Sequence, residues 1–154
     1  YSHRILGNWL AGGASNSGGS ALLAHFSVAE IDALMPTLVP EQSTGLNYYP
    51  LPKPGERFPI VDPKLASRTT PRPSSDAIFL QGLFEGIAGI EALGFARLAE
   101  LGAPALRSVR SLGGAANYNA FNSIRARTLK VPMLTSKSTD AAFGTALLAQ
   151  RGAV

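Results

Sequence analysis

The chain has 154 residues, of which 45% are hydrophobic and 16% charged. That composition favours a globular body over a disordered tail and leaves room for one domain with a real core. Its formal net charge is +4, and the absence of cysteine excludes disulfides and thiolate metal sites.

Residues 8–25 read "NWLAGGASNSGGSALLAH". A short apolar run enters a Gly/Ser/Asn loop at 12–20, and an Ala/Leu-rich segment follows. The pattern predicts a strand or turn that leads into a helix N-terminus, where unpaired backbone N–H groups can meet an anion. "SVAEIDALMP", Ser27 to Pro36, predicts a short helix with Ser27 as cap, Glu30 as capping-box partner and Pro36 as stop. Thr37 to Ser75 holds most of the 11 prolines. Each proline fixes its own φ and pushes its predecessor toward extended geometry. Tyr48, Tyr49, Leu51, Phe58, Ile60 and Val61 are too apolar for a free linker, so an ordered excursion packed on the body is expected.

Ser75 to Leu101 is the clearest helix. Phe79, Leu83, Ile87, Ile90 and Leu98 form one broad apolar stripe. Ser74 or Ser75 caps its start and Gly102 ends it. Gly82, Gly86 and Gly89 lower helix propensity but let another backbone approach. Ala105–Leu112 is a candidate strand, about 119–129 a helix, Val131–Leu134 a short strand, and Thr139–Gln150 a small-residue helix capped by Thr139 or Ser138. Strand, glycine turn, helix, strand, helix is the order of an α/β sheet.

The turn itself, in "SLGGAANYNAFNSIRARTLKVP", offers a reason to exist. Ligands of open α/β sheets bind beyond the carboxyl ends of strands. Gly113 and Gly114 lie there and permit close contact with a flat ring or a phosphate. Asn117 and Asn119 carry amides suited to a base edge or ribose hydroxyls. Phe121 or Tyr118 can stack on a base. The alternative is a plain strand-to-helix turn, because neither GxGxxG nor GxxxxGK[ST] is present.

Other chemistry is sparse. His3 and His25 are the only histidines, and no metal-ligand spacing or GxSxG elbow occurs. Glu56–Arg57 is read as an ion-pair clasp on its loop, Glu85 as an interhelix or loop contact, and Asp140 as a helix-dipole partner. Arg125, Arg127 and Lys130 are read as a solvated basic face, with no run long enough to hold nucleic acid. No apolar run reaches the roughly 18 residues of a membrane span. The lack of a signal pattern and of cysteine fits a cytoplasmic protein. The opening Tyr1, in place of methionine, leads us to expect a processed or truncated chain or one whose first residues are missing.

Five stretches in order carry a resemblance: "GNWLAGGASNSGGSALL", "YYPLPKPGERFPIVDPKL", "DAIFLQGLFEGIAGIEAL", "SLGGAANYNAFNSIRARTLKVP" and "TDAAFGTALLA". Together they resemble the C-terminal domain of the FGGY carbohydrate kinases over nearly the whole chain. The wording around "GERFP" and "GGASN" is most similar to the plant and cyanobacterial xylulose-kinase-like branch, which is associated with D-ribulose. The resemblance implies an α/β fold: the C-terminal nucleotide-binding lobe of an actin-like, ribonuclease H-like ATPase domain. It implies ATP and Mg²⁺ as cofactors and a pentulose-like sugar as substrate. Gly113, Gly114 and Ala115 would then pass close to the adenosine, Asn117 would contact base or ribose, Phe121 would stand where the family has tryptophan, and Gly18 would line the adenine pocket.

The resemblance also implies that residues 1–154 are one partial domain. The family's general-base aspartate, in a GD motif, and its Thr/Gly phosphate loop are expected before Tyr1, together with the sugar-binding lobe. Asp32, Asp62, Asp76 and Asp140 do not sit in that context, so the catalytic residues are expected outside this chain. A second reading fits the same gap. A stand-alone binding or regulatory domain would keep the fold, lose the chemistry, and use its exposed interface for a partner or a homodimer.

Overall fold

The computed structural model describes residues 2–152, apart from the side chain of residue 115. Strand β1 (Ser2–Ile5) and strand β2 (Asn8–Ala11) form an antiparallel hairpin with Ile5 opposite Asn8. Leu6 and Gly7, at φ 48° and 81°, make the two-residue turn, and positive φ at both positions is what a type I′ turn requires.

The segment after the hairpin is a loop with one helical turn, α1 (Gly19–Leu22), and not the longer helix the Ala/Leu run predicts. Helix α2 (Val28–Leu34) forms as expected. The Ser27 hydroxyl accepts from the Glu30 amide while the Glu30 carboxylate accepts from the Ser27 amide at 2.7 Å. A 3₁₀ turn through Pro36 ends it.

The proline-rich excursion is ordered and packed, as its apolar content predicts. Two antiparallel bridges, Tyr49 with Arg68 and Glu56 with Asp62, fold it back on itself. Tyr48, Tyr49 and Leu51 are buried. Val61 departs from the expectation and is 86% exposed, at the tip beside the Glu56–Asp62 bridge.

Helix α3 (Asp76–Glu100) is the centre of the molecule. Ser75 caps it through the Ile78 amide. Its buried surface is wider than one stripe, because Leu80, Phe84 and Ala88 are buried as fully as Phe79 and Leu83. Leu22, Phe26, Ile31, Tyr48, Phe121 and Ile124 complete this core. Gly86 explains how the excursion comes so close. A Cβ there would lie 2.9 Å from the Tyr48 carbonyl oxygen.

Among the described residues α3 alone is long and apolar enough to cross a membrane, with a mean hydropathy of 1.4. A search for an unbroken apolar run misses it, because Gln81, Glu85 and Glu91 interrupt the sequence. Those same residues show what surrounds it. Gln81 donates to the carbonyls of Val39 and Gln42. Glu85 and Glu91 pair with arginines of the helix α4 (Asn119–Leu129). This is the polar seam of a core helix packed among other elements.

Strand β3 (Val109–Arg110) and strand β4 (Met133–Leu134) pair in parallel, with α4 as the crossover. The expected strands shrink to two residues each, and among the described residues no wider sheet joins them. Helix α5 (Ala141–Gln150) closes the described chain. Its cap is Asp140, whose carboxylate accepts from the Ala142 amide at 2.8 Å, in place of Thr139 or Ser138.

Candidate nucleotide cleft

The βαβ unit leaves a cleft at the carboxyl ends of its two strands. Its volume is about 320 Å³. Ser111 and Asn117 face Thr135, Ser136 and Thr139 across it, with Asn119 and Asn122 of α4 below. The turn that shapes one rim starts at Gly113, with φ 84°, a region that L side chains rarely adopt. Its amide donates to the Thr139 carbonyl at 3.0 Å and so ties the two rims together. A 3₁₀ turn over Gly114–Asn117 follows. Tyr118 precedes α4 and gives it no side-chain cap.

Every residue lining the cleft is uncharged, and its polar groups are hydroxyls and amides. Such a set recognises a base edge or a sugar hydroxyl, which both donate and accept. A Cβ built on Gly113 or Gly114 would meet no heavy atom within 4 Å, so the turn borders open space.

The sequence-predicted residues divide here. Asn117 lines the cleft, whereas Gly113 and Gly114, in the turn that leads to it, are not among the lining residues. The side chain of Ala115 lies outside the described residues. Phe121 points elsewhere. It is 7% exposed and stacks on Phe84 at 4.8 Å, with the Arg125 guanidinium 5.4 Å from its ring. Tyr118 packs toward Phe84 and donates its hydroxyl to Asp32 at 3.0 Å. Helical periodicity alone does not distinguish the ring that turns inward from one that faces a ligand.

Gly18 is not among the residues lining the cleft. It precedes the single turn of α1, with φ 123°. The loop before it does meet an anion, as its glycines and amides suggest, but the anion is the chain's own. The Glu56 carboxylate accepts from the Ser15 hydroxyl at 2.6 Å, the Asn16 amide at 2.7 Å and the Tyr49 hydroxyl at 3.0 Å. Burial would raise the Glu56 pKa, but the hydrogen bonds from Ser15, Asn16, Arg57 and Tyr49 outweigh it and hold the carboxyl below its ordinary value. Arg57 turns its side chain to Asn16 at 2.7 Å. The expected ion-pair clasp is therefore a hydrogen-bonded one. Glu85 fulfils its reading, accepting from Thr44 and pairing with Arg127 at 2.7 Å.

Sequence reasoning missed Arg125. It reads as part of a solvated basic face, yet it is only 8% exposed and holds Glu91 with two bonds of 2.6 and 2.7 Å. The signal was available in part. Glu91 and Arg125 are an acid and a base on two adjacent predicted helices, but nothing in the sequence aligned them.

All four aspartates have structural partners. Asp32 accepts from Tyr118, Asp62 from the Lys64 amide, Asp76 from Arg72, and Asp140 from the Ala142 amide. Among the described residues no group of three or more His, Asp or Glu side chains comes together to hold a metal ion.

A family model described as FGGY family of carbohydrate kinases, C-terminal domain, matches residues 5–153. The chain belongs to that family. Its mixed α/β arrangement is consistent with the FGGY C-terminal domain, an actin-like ATPase lobe. FGGY kinases use ATP with Mg²⁺. The cleft lining is neutral and rich in amides and hydroxyls, a donor and acceptor set that suits the nucleoside end of ATP. No residue lining the cleft is a carboxylate, so the cleft itself offers Mg²⁺ no charged ligand.

Proposed function

We propose that this chain is the ATP-binding lobe of a sugar kinase whose acceptor is a pentulose of the xylulose or ribulose type, at work in the cytoplasm. The observation that carries this reading is the neutral, amide-lined cleft at the carboxyl ends of β3 and β4. Asn117 and Asn119 bind the base edge or ribose hydroxyls, and Gly113 and Gly114 leave room for the ring. When bound, ATP supplies the phosphoryl group and the sugar supplies the attacking hydroxyl. That hydroxyl needs a base to take its proton. Each aspartate of this chain already accepts a hydrogen bond within its own fold and none lines the cleft, so the base and most sugar contacts belong to other segments of the kinase. Residues 1–154 are, on this reading, one partial domain. The branch assignment rests on the wording around "GERFP".

Calorimetric titration of the chain with ADP tests the reading. Saturable binding is expected, weakened about tenfold in Asn117→Ala through loss of a hydrogen-bonding amide. Affinity that survives both Asn117→Ala and Gly114→Val would move the site elsewhere. The chain alone is expected to phosphorylate neither D-xylulose nor D-ribulose. Turnover by it would overturn the assignment of the base to another segment.

The committed aspartates also favour a second reading, a binding or regulatory domain without catalysis that pairs with a partner or a second copy. A stable dimer by sedimentation, indifferent to nucleotide, would support it.

A further inference from the structure

Arg125 is the best-connected side chain beside the cleft. Its Nε and one terminal nitrogen donate to the two Glu91 oxygens at 2.7 and 2.6 Å. The other terminal nitrogen donates to the Ser111 hydroxyl and, at 3.4 Å, to the Asn122 carbonyl oxygen. Both acceptors line the cleft, on opposite sides of the glycine turn in sequence. Each is tied further. The Ser136 hydroxyl donates to the Ser111 carbonyl at 3.0 Å, and the Asn122 amide donates to the Ala116 carbonyl at 2.8 Å. One guanidinium thus reaches the strand-end rim through Ser111 and Ser136, and the glycine-turn rim through Asn122 and Ala116.

The charge arrangement is equally specific. Arg125 stands behind the cleft wall, and Glu91 neutralises it from the far side. A planar fork can hold a carboxylate and two further acceptors at once, which a lysine ammonium cannot do in the same geometry. The guanidinium therefore serves as a rigid strut that leaves the cleft itself neutral.

We propose that Arg125, oriented by Glu91, is the positioning residue of this cleft: it fixes both rims so that they select the uncharged nucleoside part of a nucleotide, leaving the phosphates outside. The selection of a nucleoside rests on the nucleotide reading above; the ordering of the rims does not. Adenosine is then expected to bind within a few-fold of ADP, with little dependence on salt, because no lining side chain carries charge.

The test uses the full chain and two readouts. Hydrogen exchange is followed at the Gly113 and Ala116 amides, which bond to Thr139 and Gly113, and at buried amides of α3. Adenosine and ADP affinities are measured by calorimetry. Arg125→Lys keeps the charge and loses the fork. Ser111→Ala cuts the single bond from Arg125 to the hydroxyl, Asn122→Ala cuts the bonds to Arg125 and to the Ala116 carbonyl, and both spare the pair with Glu91, in case the first variant folds poorly. Arg125→Lys should speed exchange at the two rim amides about tenfold and weaken adenosine about tenfold, as expected for lost charge-assisted hydrogen bonds, with α3 protection retained. The double variant Ser111→Ala/Asn122→Ala should reproduce the rim effect. Rim amides unchanged in both cases, or changed only in step with α3, would overturn the positioning role. Rim loosening in a chain that binds no adenosine would uphold the strut, overturn the nucleoside selection, and sink the nucleotide reading separately. ADP binding more than about tenfold tighter than adenosine would overturn the selection alone.

Discussion

Two glycine-rich turns of similar composition meet opposite fates in this chain. In the loop at 12–18, "GGASNSG", the polar donors are engaged from within. Glu56, about 40 residues away, takes its Ser15 and Asn16 donors, and the Phe58 ring lies against Gly13. The turn at 113–117, "GGAAN", stays open, and its cleft contains no charged side chain. Glycine and amide content gives both turns the capacity to bind. Whether a distant side chain of the same protein already takes those donors decides which polar groups are left for a ligand.

Four changes would break or sharpen that contrast. The largest effect is expected from Glu56→Ala. It strands the Ser15, Asn16 and Tyr49 donors in a buried place, at a cost of about 3 kcal/mol. Urea unfolding should show this loss, and exchange should rise at 12–18 but not at 113–117 beyond the global change. Equal rises in both turns would mean that the two are one cooperative unit.

Gly13→Ala comes next. A Cβ there would stand 2.2 Å from the Phe58 ring, so ring or loop has to move, at about 2 kcal/mol. A denaturation midpoint equal to the wild type would show that the packing against Phe58 is loose.

Acidification probes the same clasp without mutation. The folded Glu56 pKa lies below its ordinary 4.5, so the stabilisation it gives is whole above that value and is lost as pH falls through the folded pKa. Loss of protection at 12–18 should begin below pH 4.5 and be absent in Glu56→Gln. His25, whose pKa burial and Arg72 lower from 6.5, adds a separate loss: its contribution is whole above 6.5 and goes as pH falls through its folded value. Stability measured from pH 8 downward should separate the two steps.

Gly114→Val should have the smallest effect on stability, within about 0.5 kcal/mol, because the added atoms enter open space. It should still weaken ADP. A loss of stability there would mean that the turn is as filled as its counterpart.

Local rules made much of the fold legible. The Ser27–Glu30 capping box, the Ser75 cap, the span of α3 and the position of α4 follow from a few neighbouring residues and a helical period. The proline-rich segment was readable as packed, because prolines restrict it and its aromatics need burial. Of the glycine turn read from the sequence, Asn117 lines the candidate cleft, and Gly113 and Gly114 stand in the turn before it.

Tertiary structure decided the rest. Phe121 turned to Phe84 and not to the cleft, because a helical period marks an apolar face without naming its partner. Arg125 and Arg127 left the solvated face for Glu91 and Glu85, residues 34 and 42 positions earlier. Glu56 found the Gly/Ser/Asn loop across a similar distance. Pairings at that range depend on how helices and loops stack in space. The sequence determined which segments are helical, capped or rigid; stacking alone determined which polar groups are spent inside the protein and which remain to bind.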